Sequence, residues 1–147
     1  MIRPATLKDV PLICVLGRES LEVNDPYPTL RICDDKIKQT AIEVVSGAAH
    51  FAWVNEDNEG NIDSAVCAYT SEIMFHERKQ CSLLLYYSRN KGYGNGGRLL
   101  KELVTWWRGR PGIKMLTIAL EEGTDPKVGC FLEKLGLDKK LPVYVGL

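Results

Sequence analysis

Four glycines stand within six residues directly before an amphipathic run, in the segment SRNKGYGNGGRLLKELVTWW (residues 88–107). Glycine is a poor helix former and also weakens strands, so a cluster this dense needs a structural reason. The preceding run, CSLLLYYS (81–88), is typical of a strand buried on both faces. The apolar residues after the glycines recur at helical spacing. The segment therefore predicts a strand, a glycine loop and a helix in succession.

The order strand, glycine loop and helix predicts a binding site for an anion. The first N–H groups of a helix lack partners within it, and the helix dipole places partial positive charge there. Glycines let a phosphate approach the backbone without a Cβ in between. Arg89, Lys91 and Arg98 add positive charge nearby. A glycine-rich turn with solvated charges is the alternative, but four glycines exceed what a turn requires.

Two nucleotide-binding motifs can be compared with this segment. Residues 92–97 match G-x-G-x-x-G literally, and Glu121 and Glu122 lie at the end of the next predicted strand. However, Arg89 and Lys91 separate the strand from the first glycine, and about 50 residues follow, too few for a doubly wound sheet of two halves. No G-K-[ST] is present, which excludes a P-loop.

The whole chain predicts one α/β (α+β) domain over residues 1–147, with the element order βααβββαβαβ. The predicted strands are Met1–Pro4, His50–Asn55, Asp63–Phe75, Cys81–Ser88, Met115–Leu120 and Pro142–Leu147. The predicted helices run from Lys8 to Glu22, from Asp34 to Gly47, from the glycines to Gly109, and from Asp125 to Leu135. Hairpins between the middle strands imply antiparallel pairing, whereas the strand–helix–strand unit 81–120 implies a parallel or splayed pair.

Composition and charge favour an ordinary globular protein of the cytoplasm. The chain is 45% apolar and 26% charged with a net charge of zero, which gives no general attraction to nucleic acid or to an anionic membrane. No apolar run approaches the ~20 residues of a membrane span, and no signal peptide is recognised. The five cysteines are expected to be buried, reduced thiols, and with two histidines we expect no metal site.

The better match to the glycine segment is RNKGYG (89–94), which resembles the R/Q-x-x-G-x-G/A motif of the GCN5-related N-acetyltransferase family. MIRPATLKDVPLI (1–13) is similar to the first strand and helix of that family, and FLEKLGL (131–137) to its C-terminal FYEKLGF motif. The resemblance thus spans the chain. It implies a mixed, mostly antiparallel central sheet flanked by helices, and acetyl-CoA as cosubstrate.

The resemblance also implies which residues hold acetyl-CoA. In this family the motif's backbone N–H groups bind the pyrophosphate, and the preceding strand pairs with the pantetheine arm. The N–H of Leu84 is expected to polarise the thioester carbonyl as an oxyanion donor. The implied cosubstrate residues are Leu83, Leu84, Tyr86, Arg89, Asn90, Lys91, Gly92, Tyr93, Gly94, Asn95, Gly96, Asp125 and Phe131.

The acid and base of the reaction are less defined. Leu132 stands where the family has the tyrosine that protonates the leaving thiolate. A thiol with a pKa of ~8.5 leaves tolerably without an acid, and Tyr144 is a candidate substitute. An amine with a pKa of ~10.4 needs a proton acceptor, yet the strand before the motif has no glutamate. The candidates are Glu72, His76, Glu121 and Glu122.

The leading hypothesis is an N-acyltransferase that moves an acetyl group from acetyl-CoA to an amine by direct attack in a ternary complex. The acceptor, a small molecule or a protein, is expected under the loop Asn24–Ile32, where Asp25 or Tyr27 could contact a cationic amine. The alternative is a catalytically inactive binding or structural module on the same fold. A nucleotide-dependent oxidoreductase comes third, and a homodimer stays open.

Overall fold

The computed structural model describes residues 1–25, 27, 29–91, 94–121, 123–140, 144 and 146. In this part of the chain a five-stranded sheet has the spatial order β1-β2-β3-β4-β5. The strands are β1 (Ile2–Pro4), β2 (Phe51–Glu56), β3 (Ile62–Glu72), β4 (Lys79–Ser88) and β5 (Ile113–Thr117). The first four strands pair antiparallel in sequence order, and β4 pairs with β5 in parallel. The predicted mixed, mostly antiparallel sheet is therefore confirmed.

Helices cover both faces of the sheet. They are α1 (Val10–Val23), preceded by a 3₁₀ turn at Leu7–Asp9, α2 (Asp34–Ser46), α3 (Asn95–Arg108) and α4 (Pro126–Lys134). One core lies between the sheet and the pair α1–α2, and the other lies between the opposite face and the pair α3–α4. None of the helices in the described ranges combines the length and apolarity that crossing a bilayer requires.

The helix ends follow local sequence signals. The Asp125 side chain accepts a hydrogen bond from the N–H of Lys127 at 2.9 Å, and Pro126 occupies the first turn of α4. Gly136, just after α4, has a φ of 91°, which a glycine adopts without steric cost. At the start of the chain, Asp9 accepts a hydrogen bond from the N–H of Thr6 at 2.7 Å. These helix boundaries were therefore predictable from neighbouring residues alone.

Several strand predictions were wrong in extent or burial. β3 ends at Glu72 rather than Phe75 because the chain turns there, and the N–H of Ile73 donates to the carbonyl of Arg78 at 2.7 Å. β4 is not buried on both faces: the Leu84 side chain is 50% exposed. β5 runs from Ile113 to Thr117 rather than from Met115 to Leu120, and it is not fully buried, since the Met115 side chain is 42% exposed.

Two further expectations concern side chains and the C-terminus. Cys33 and Cys130 are exposed, so the prediction that all five thiols are buried was wrong. The two lie at the start of α2 and on α4, at positions that no element of the described part of the chain covers. The predicted last strand, Pro142–Leu147, lies outside the described residues except for Tyr144 and Gly146.

Candidate functional site

A β-bulge interrupts β4 at Leu84. The β3–β4 ladder is regular from Glu72–Lys79 to Ala68–Leu83 and resumes at Cys67–Leu85, so Leu84 has no partner residue in β3. A bulge leaves its extra residue outside the ladder, bends the strand and is common beside active sites. The half-exposed side chain of Leu84 agrees with this departure from the regular pleat. The sequence predicted the strand but gave no sign of the bulge.

The bulge reverses which side chains of β4 face each core. Before it, Cys81 and Leu83 pack in the core under α3 and α4. After it, Leu85 and Tyr87 pack against the α1–α2 core, while Tyr86 lies on the α3 face. Side chains of a regular strand alternate with a period of two, so one extra residue exchanges the two faces.

The pairing of β4 with β5 ends next to this bulge. Their parallel pairing runs from Lys79–Ile113 to Ser82–Thr117 and then stops, within the described residues. Residues 83 and 85–88 of β4 therefore pair with β3 alone in the described sheet, and Leu84 pairs with neither strand. We call the gap between residues 83–88 and the chain after Thr117 the β4–β5 cleft. It offers one backbone edge of β4 to an extended ligand, in the manner of an added strand.

The glycine loop ends at an uncapped helix start. Gly94 is the N-cap of α3, has a φ of 73° and carries no side chain that could cap the helix. The N–H of Arg98 donates to the carbonyl of Gly94 at 3.0 Å. Among the described residues, no acceptor lies on the N–H groups of Asn95, Gly96 and Gly97. The first turn of this 14-residue helix therefore presents the positive end of its dipole, together with N–H donors that have no acceptor among the described residues.

Close packing requires a glycine at one of the two adjacent positions at the start of α3, Gly96, and not at the other, Gly97. A Cβ added at Gly96 would lie 2.7 Å from the Tyr86 hydroxyl oxygen, closer than any real contact, whereas one at Gly97 would lie 3.9 Å from the Phe131 ring. Tyr86 and Phe131 thus support the helix start from the core. Burial raises the pKa of the Tyr86 phenol, and the charge of Asp125 adds to that effect.

The first residue of the motif is engaged within the protein. The N–H of Arg89 donates to the carbonyl of Asp63 at 2.9 Å, so it has an acceptor within the protein, and the role of Arg89 in binding the cosubstrate stays a prediction. The guanidinium of Arg89 pairs with the carboxylate of Glu19 on α1, and this hydrogen-bonded contact holds the pKa of Glu19 below its usual range. Gly92 and Tyr93 lie outside the described residues, while Lys91 is exposed.

The predicted acid and base residues are spread over the molecule. Glu72 lies opposite Lys79, and with His76 it lines a cavity of about 670 Å³ at the beginning of β4. Lys79 and Leu84 are five residues apart, which is about 16 Å along a strand. Direct proton transfer needs hydrogen-bond contact, so Glu72 and His76 could reach the bulge only through water. Tyr144 is 92% exposed and Leu132 is 7% exposed within the α3–α4 core.

Sequence reasoning missed a titratable cluster on the opposite face of the sheet. The Tyr69 hydroxyl donates to Glu43 Oε1 at 3.1 Å, and its ring stacks on His50 with centroids 4.4 Å apart. The N–H of Thr70 donates to His50 Nδ1 at 3.0 Å. Tyr69 lies opposite Ser82, two residues from Leu84. The carboxylate of Glu43 raises the pKa of Tyr69. These residues are distant in sequence and share no motif.

Comparisons with solved structures support the fold. A predicted acetyltransferase from Clostridium acetobutylicum, crystallised with acetyl-CoA, has 16% sequence identity and a TM-score of 0.78, covering 100% of this chain and 94% of its own. A GCN5-related N-acetyltransferase from Ralstonia eutropha has 18% identity and a TM-score of 0.74, with coverages of 100% and 97%.

An aminoglycoside acetyltransferase from an uncultured soil metagenomic sample has 14% identity and a TM-score of 0.68, covering 100% of this chain and 97% of its own. No protein-family model matches the sequence, and no curated protein matches it. At these identities the similarity concerns the fold. This chain has the fold of the GCN5-related N-acetyltransferases, as the R-x-x-G-x-G resemblance implied.

Proposed function

We propose that this protein transfers an acetyl group from acetyl-CoA to an amine acceptor by direct attack in a ternary complex. The proposal rests on three features that lie close together in the chain, on β4 and at the start of the helix that follows it. The bulge at Leu84, the end of the β4–β5 pairing and the uncapped start of α3 follow one another from Ser82 to Asn95. Together they offer an extended backbone edge that leads to an anion site.

The pyrophosphate is assigned to the start of α3 and the preceding loop. The N–H groups of Asn95 and Gly96 have no acceptor among the described residues, and an anion at a helix N-terminus gains roughly 0.3–1 kcal/mol per charge from the dipole. Asn90, Lys91, Gly92, Tyr93 and Gly94 complete the cradle by resemblance to the family motif. Asp125 lies beside this site at the start of α4. Its side chain accepts a hydrogen bond from the N–H of Lys127 and so caps its own helix.

The pantetheine arm is assigned to the β4–β5 cleft, with Leu83, Leu84 and Tyr86 as backbone contacts. The N–H of Leu84 then polarises the thioester carbonyl, since a residue outside the ladder can turn its donor toward a ligand. One donor of this kind supplies a factor of about 10²–10³ in kcat. The contribution comes from the backbone, so the identity of the side chain at 84 matters little.

Departure of the thiolate does not require a side chain at position 132. Leu132 is buried among α3 and α4, and a coenzyme thiolate with a pKa of ~8.5 leaves without a proton donor. For the amine proton, Glu72 and His76 would need a chain of several waters, because Glu72 lies opposite Lys79, about 16 Å along β4 from Leu84. Tyr69 with Glu43 is nearer the bulge, and comparison of Tyr69→Phe with Glu72→Gln in the pH profile of kcat/KM assigns the base.

The acceptor is a small-molecule or protein amine. The region of Asp25 and Tyr27 follows α1, and Tyr27 is 48% exposed, which leaves its ring accessible to a ligand. Aminoglycosides, the acceptors named for one of the similar structures, belong in a test panel with polyamines, amino acids and peptide N-termini. The alternative function, an inactive module that binds coenzyme A, is favoured by the absence of a tyrosine at Leu132.

The test is calorimetric titration with acetyl-CoA and with NAD, followed by the amine panel. We expect acetyl-CoA to bind and NAD not to bind, and ligand at 100 times its Kd to stabilise the fold by about 2.7 kcal/mol. Binding of NAD without acetyl-CoA would reject the proposal. Binding of acetyl-CoA without turnover on any amine would favour the inactive module.

Gly94→Ala and Gly60→Ala form a matched pair for this titration. Both glycines have positive φ, 73° and 83°, and both have room for a Cβ, so alanine strains the backbone similarly in each. Gly60 lies in the turn between β2 and β3, away from the glycine loop. We expect both variants to lose stability and only Gly94→Ala to lose affinity for acetyl-CoA.

A further inference from the structure

Asp63 is a buried carboxylate that accepts hydrogen bonds from three neutral side chains among the described residues. It is the second residue of β3 and is 7% exposed. Its Oδ1 accepts hydrogen bonds from Asn55 Nδ2 and from the Ser64 hydroxyl, each at 2.8 Å, and its Oδ2 accepts one from Asn90 Nδ2 at 2.7 Å. None of the ion pairs formed by the described residues includes Asp63. A buried carboxylate is costly, so a group held only by neutral donors suggests a role beyond packing.

Three consecutive residues at the entry to the glycine loop are bound to the same place on β3. The N–H of Arg89 donates to the Asp63 carbonyl at 2.9 Å, and Asn90 donates to the Asp63 carboxylate. The hydroxyls of Ser64 and Ser88 lie 2.7 Å apart. Ser64 has one hydroxyl proton, which it gives to Asp63, so Ser88 is the donor in this bond. Main chain and side chains thus fix the path of residues 88–90.

We propose that Asp63 is a positioning residue for acetyl-CoA. By holding Asn90 and the backbone of Arg89, it sets the direction in which the loop leaves β4 and therefore the direction of the N–H groups that meet the pyrophosphate. The inference rests on the proposed function and adds a residue that touches no part of the ligand. Asp63 belongs to no motif, and only the neighbouring Asn90 lies in the R-x-x-G-x-G segment.

The network holds residues 88–90, at the entry to the glycine loop, before a ligand arrives. Asn55, which donates to Asp63, also accepts a hydrogen bond from the amino group of Met1 at 3.2 Å, so the carboxylate is fixed from β2 as well as β3. Glu19 independently holds the Arg89 side chain. A loop fixed in advance loses less conformational entropy on binding, which raises affinity without new contacts to the ligand.

Asn90→Ala and Asn55→Ala separate positioning from stability. Each removes one neutral donor from the Asp63 carboxylate, but Asn90 lies on the loop side and Asn55 on the opposite side. By calorimetry we expect the Kd for acetyl-CoA to rise about tenfold in Asn90→Ala and to stay within about twofold in Asn55→Ala. The temperature of thermal unfolding should be lowered in both variants. Equal Kd values in the two variants would overturn the positioning role.

S-acetylpantetheine, which lacks the pyrophosphate, is the second probe. We expect its binding, followed by saturation-transfer NMR, to be the same in the parent protein and in Asn90→Ala. A parallel loss for both ligands would mean that the β4–β5 cleft has loosened as a whole, and would reject positioning of the pyrophosphate site. Failure of the parent protein to bind acetyl-CoA would overturn the proposed function and this role together.

An exchange of the two side chains provides the rescue. Asn90→Asp places two carboxylates at a contact of 2.7 Å and should weaken acetyl-CoA binding more than Asn90→Ala does. In the double variant with Asp63→Asn, the new amide oxygen still accepts from Asn55 and Ser64 while its NH₂ donates to the new carboxylate. We expect the affinity to recover toward that of the parent. A double variant as weak as Asn90→Asp would contradict the proposal.

Discussion

The two halves of β4 differ in a way that locates the site. Residues 79–82 pair with β3 on one side and β5 on the other, in regular ladders. Residues 85–88 follow the bulge at Leu84, pair with β3 only, and lead to the segment that Asp63 holds. The first half contributes to stability through backbone hydrogen bonds that are already made. The second half keeps backbone donors available, so the chemistry is expected where the ladder stops.

The largest expected effect comes from removing single backbone donors in the two halves. An ester in place of the amide N–H at Leu84 should lower kcat about 10²–10³-fold, because it removes the oxyanion donor. The same change at Ser82, which is paired on both sides, should cost about 0.5–1.5 kcal/mol of stability and leave kcat unchanged. Single-turnover acetylation and thermal unfolding of the two semisynthetic proteins measure this contrast. Similar kcat values would mean that the halves do not differ in function.

Asp9, a carboxylate away from β4, tests whether effects on acetyl-CoA binding are specific to the second half of β4. The hydrogen-bonded guanidinium of Arg3 lowers the pKa of the buried Asp9 to about 2, from an ordinary 3.8. Because the folded pKa is depressed, the stabilisation is complete above pH 4 and is lost as the pH falls through 2. It amounts to about 2 kcal/mol.

Asp9→Asn should therefore lower the free energy of unfolding at neutral pH by about this amount and flatten its decline between pH 4 and 2. Denaturant unfolding across that range gives the measurement. We expect the Kd for acetyl-CoA at neutral pH to be unchanged, because Asp9 lies beside β1. A changed Kd would show that the edge of the sheet and the second half of β4 are coupled.

A third, smaller effect is expected from the two adjacent glycines at the start of α3. Gly96→Ala forces a Cβ to within 2.7 Å of the Tyr86 hydroxyl, so ring or helix must shift, and we expect about a tenfold loss of affinity for acetyl-CoA. Gly97→Ala makes an ordinary 3.9 Å contact and should stabilise the helix by up to about 1 kcal/mol. Titration of both variants with acetyl-CoA tests this expectation. Equal affinities would mean that the anion does not bind at the start of α3.

The smallest effect is expected from the side chain at the bulge. Leu84→Ala should change stability by less than about 1 kcal/mol, because half of this side chain is exposed, and kcat should stay within about twofold. Paired with the ester at the same residue, it separates backbone from side chain in steady-state kinetics. A large loss of kcat in Leu84→Ala would assign the function to the leucine itself.

The sequence predicted those parts of the fold that depend on neighbours in the chain. Gly94, the Asp125–Pro126 pair and Gly136 mark helix ends because capping and backbone conformation are local properties. The motif residues from Asn90 to Gly96 were identified as candidates for the same reason, because a motif is a local pattern. They remain predictions as ligand contacts, together with Leu83, Leu84, Tyr86, Asp125 and Phe131.

The remaining features depend on residues that are far apart in sequence. An apolar run such as CSLLLYYS predicts burial, but it cannot reveal that Leu84 is left over when β3 and β4 are aligned. Likewise, the partners of Arg89 are Glu19 and the carbonyl of Asp63, and both are set by tertiary structure. Candidate bases such as Glu72 and His76 were chosen by residue type, and their distance from the bulge became visible only in the assembled sheet.

The exchange of faces at Leu84 has a consequence for which changes in the sequence of β4 the fold can tolerate. If residue 84 were deleted, the β3–β4 ladder could become continuous, and Leu83, Leu85 and Tyr86 would keep the faces that they have now, because regular alternation would be restored around the missing residue. The packing of the two cores therefore does not oppose loss of the interruption. The extra residue is expected to be kept for the backbone groups that it leaves outside the ladder rather than for the stability of either core.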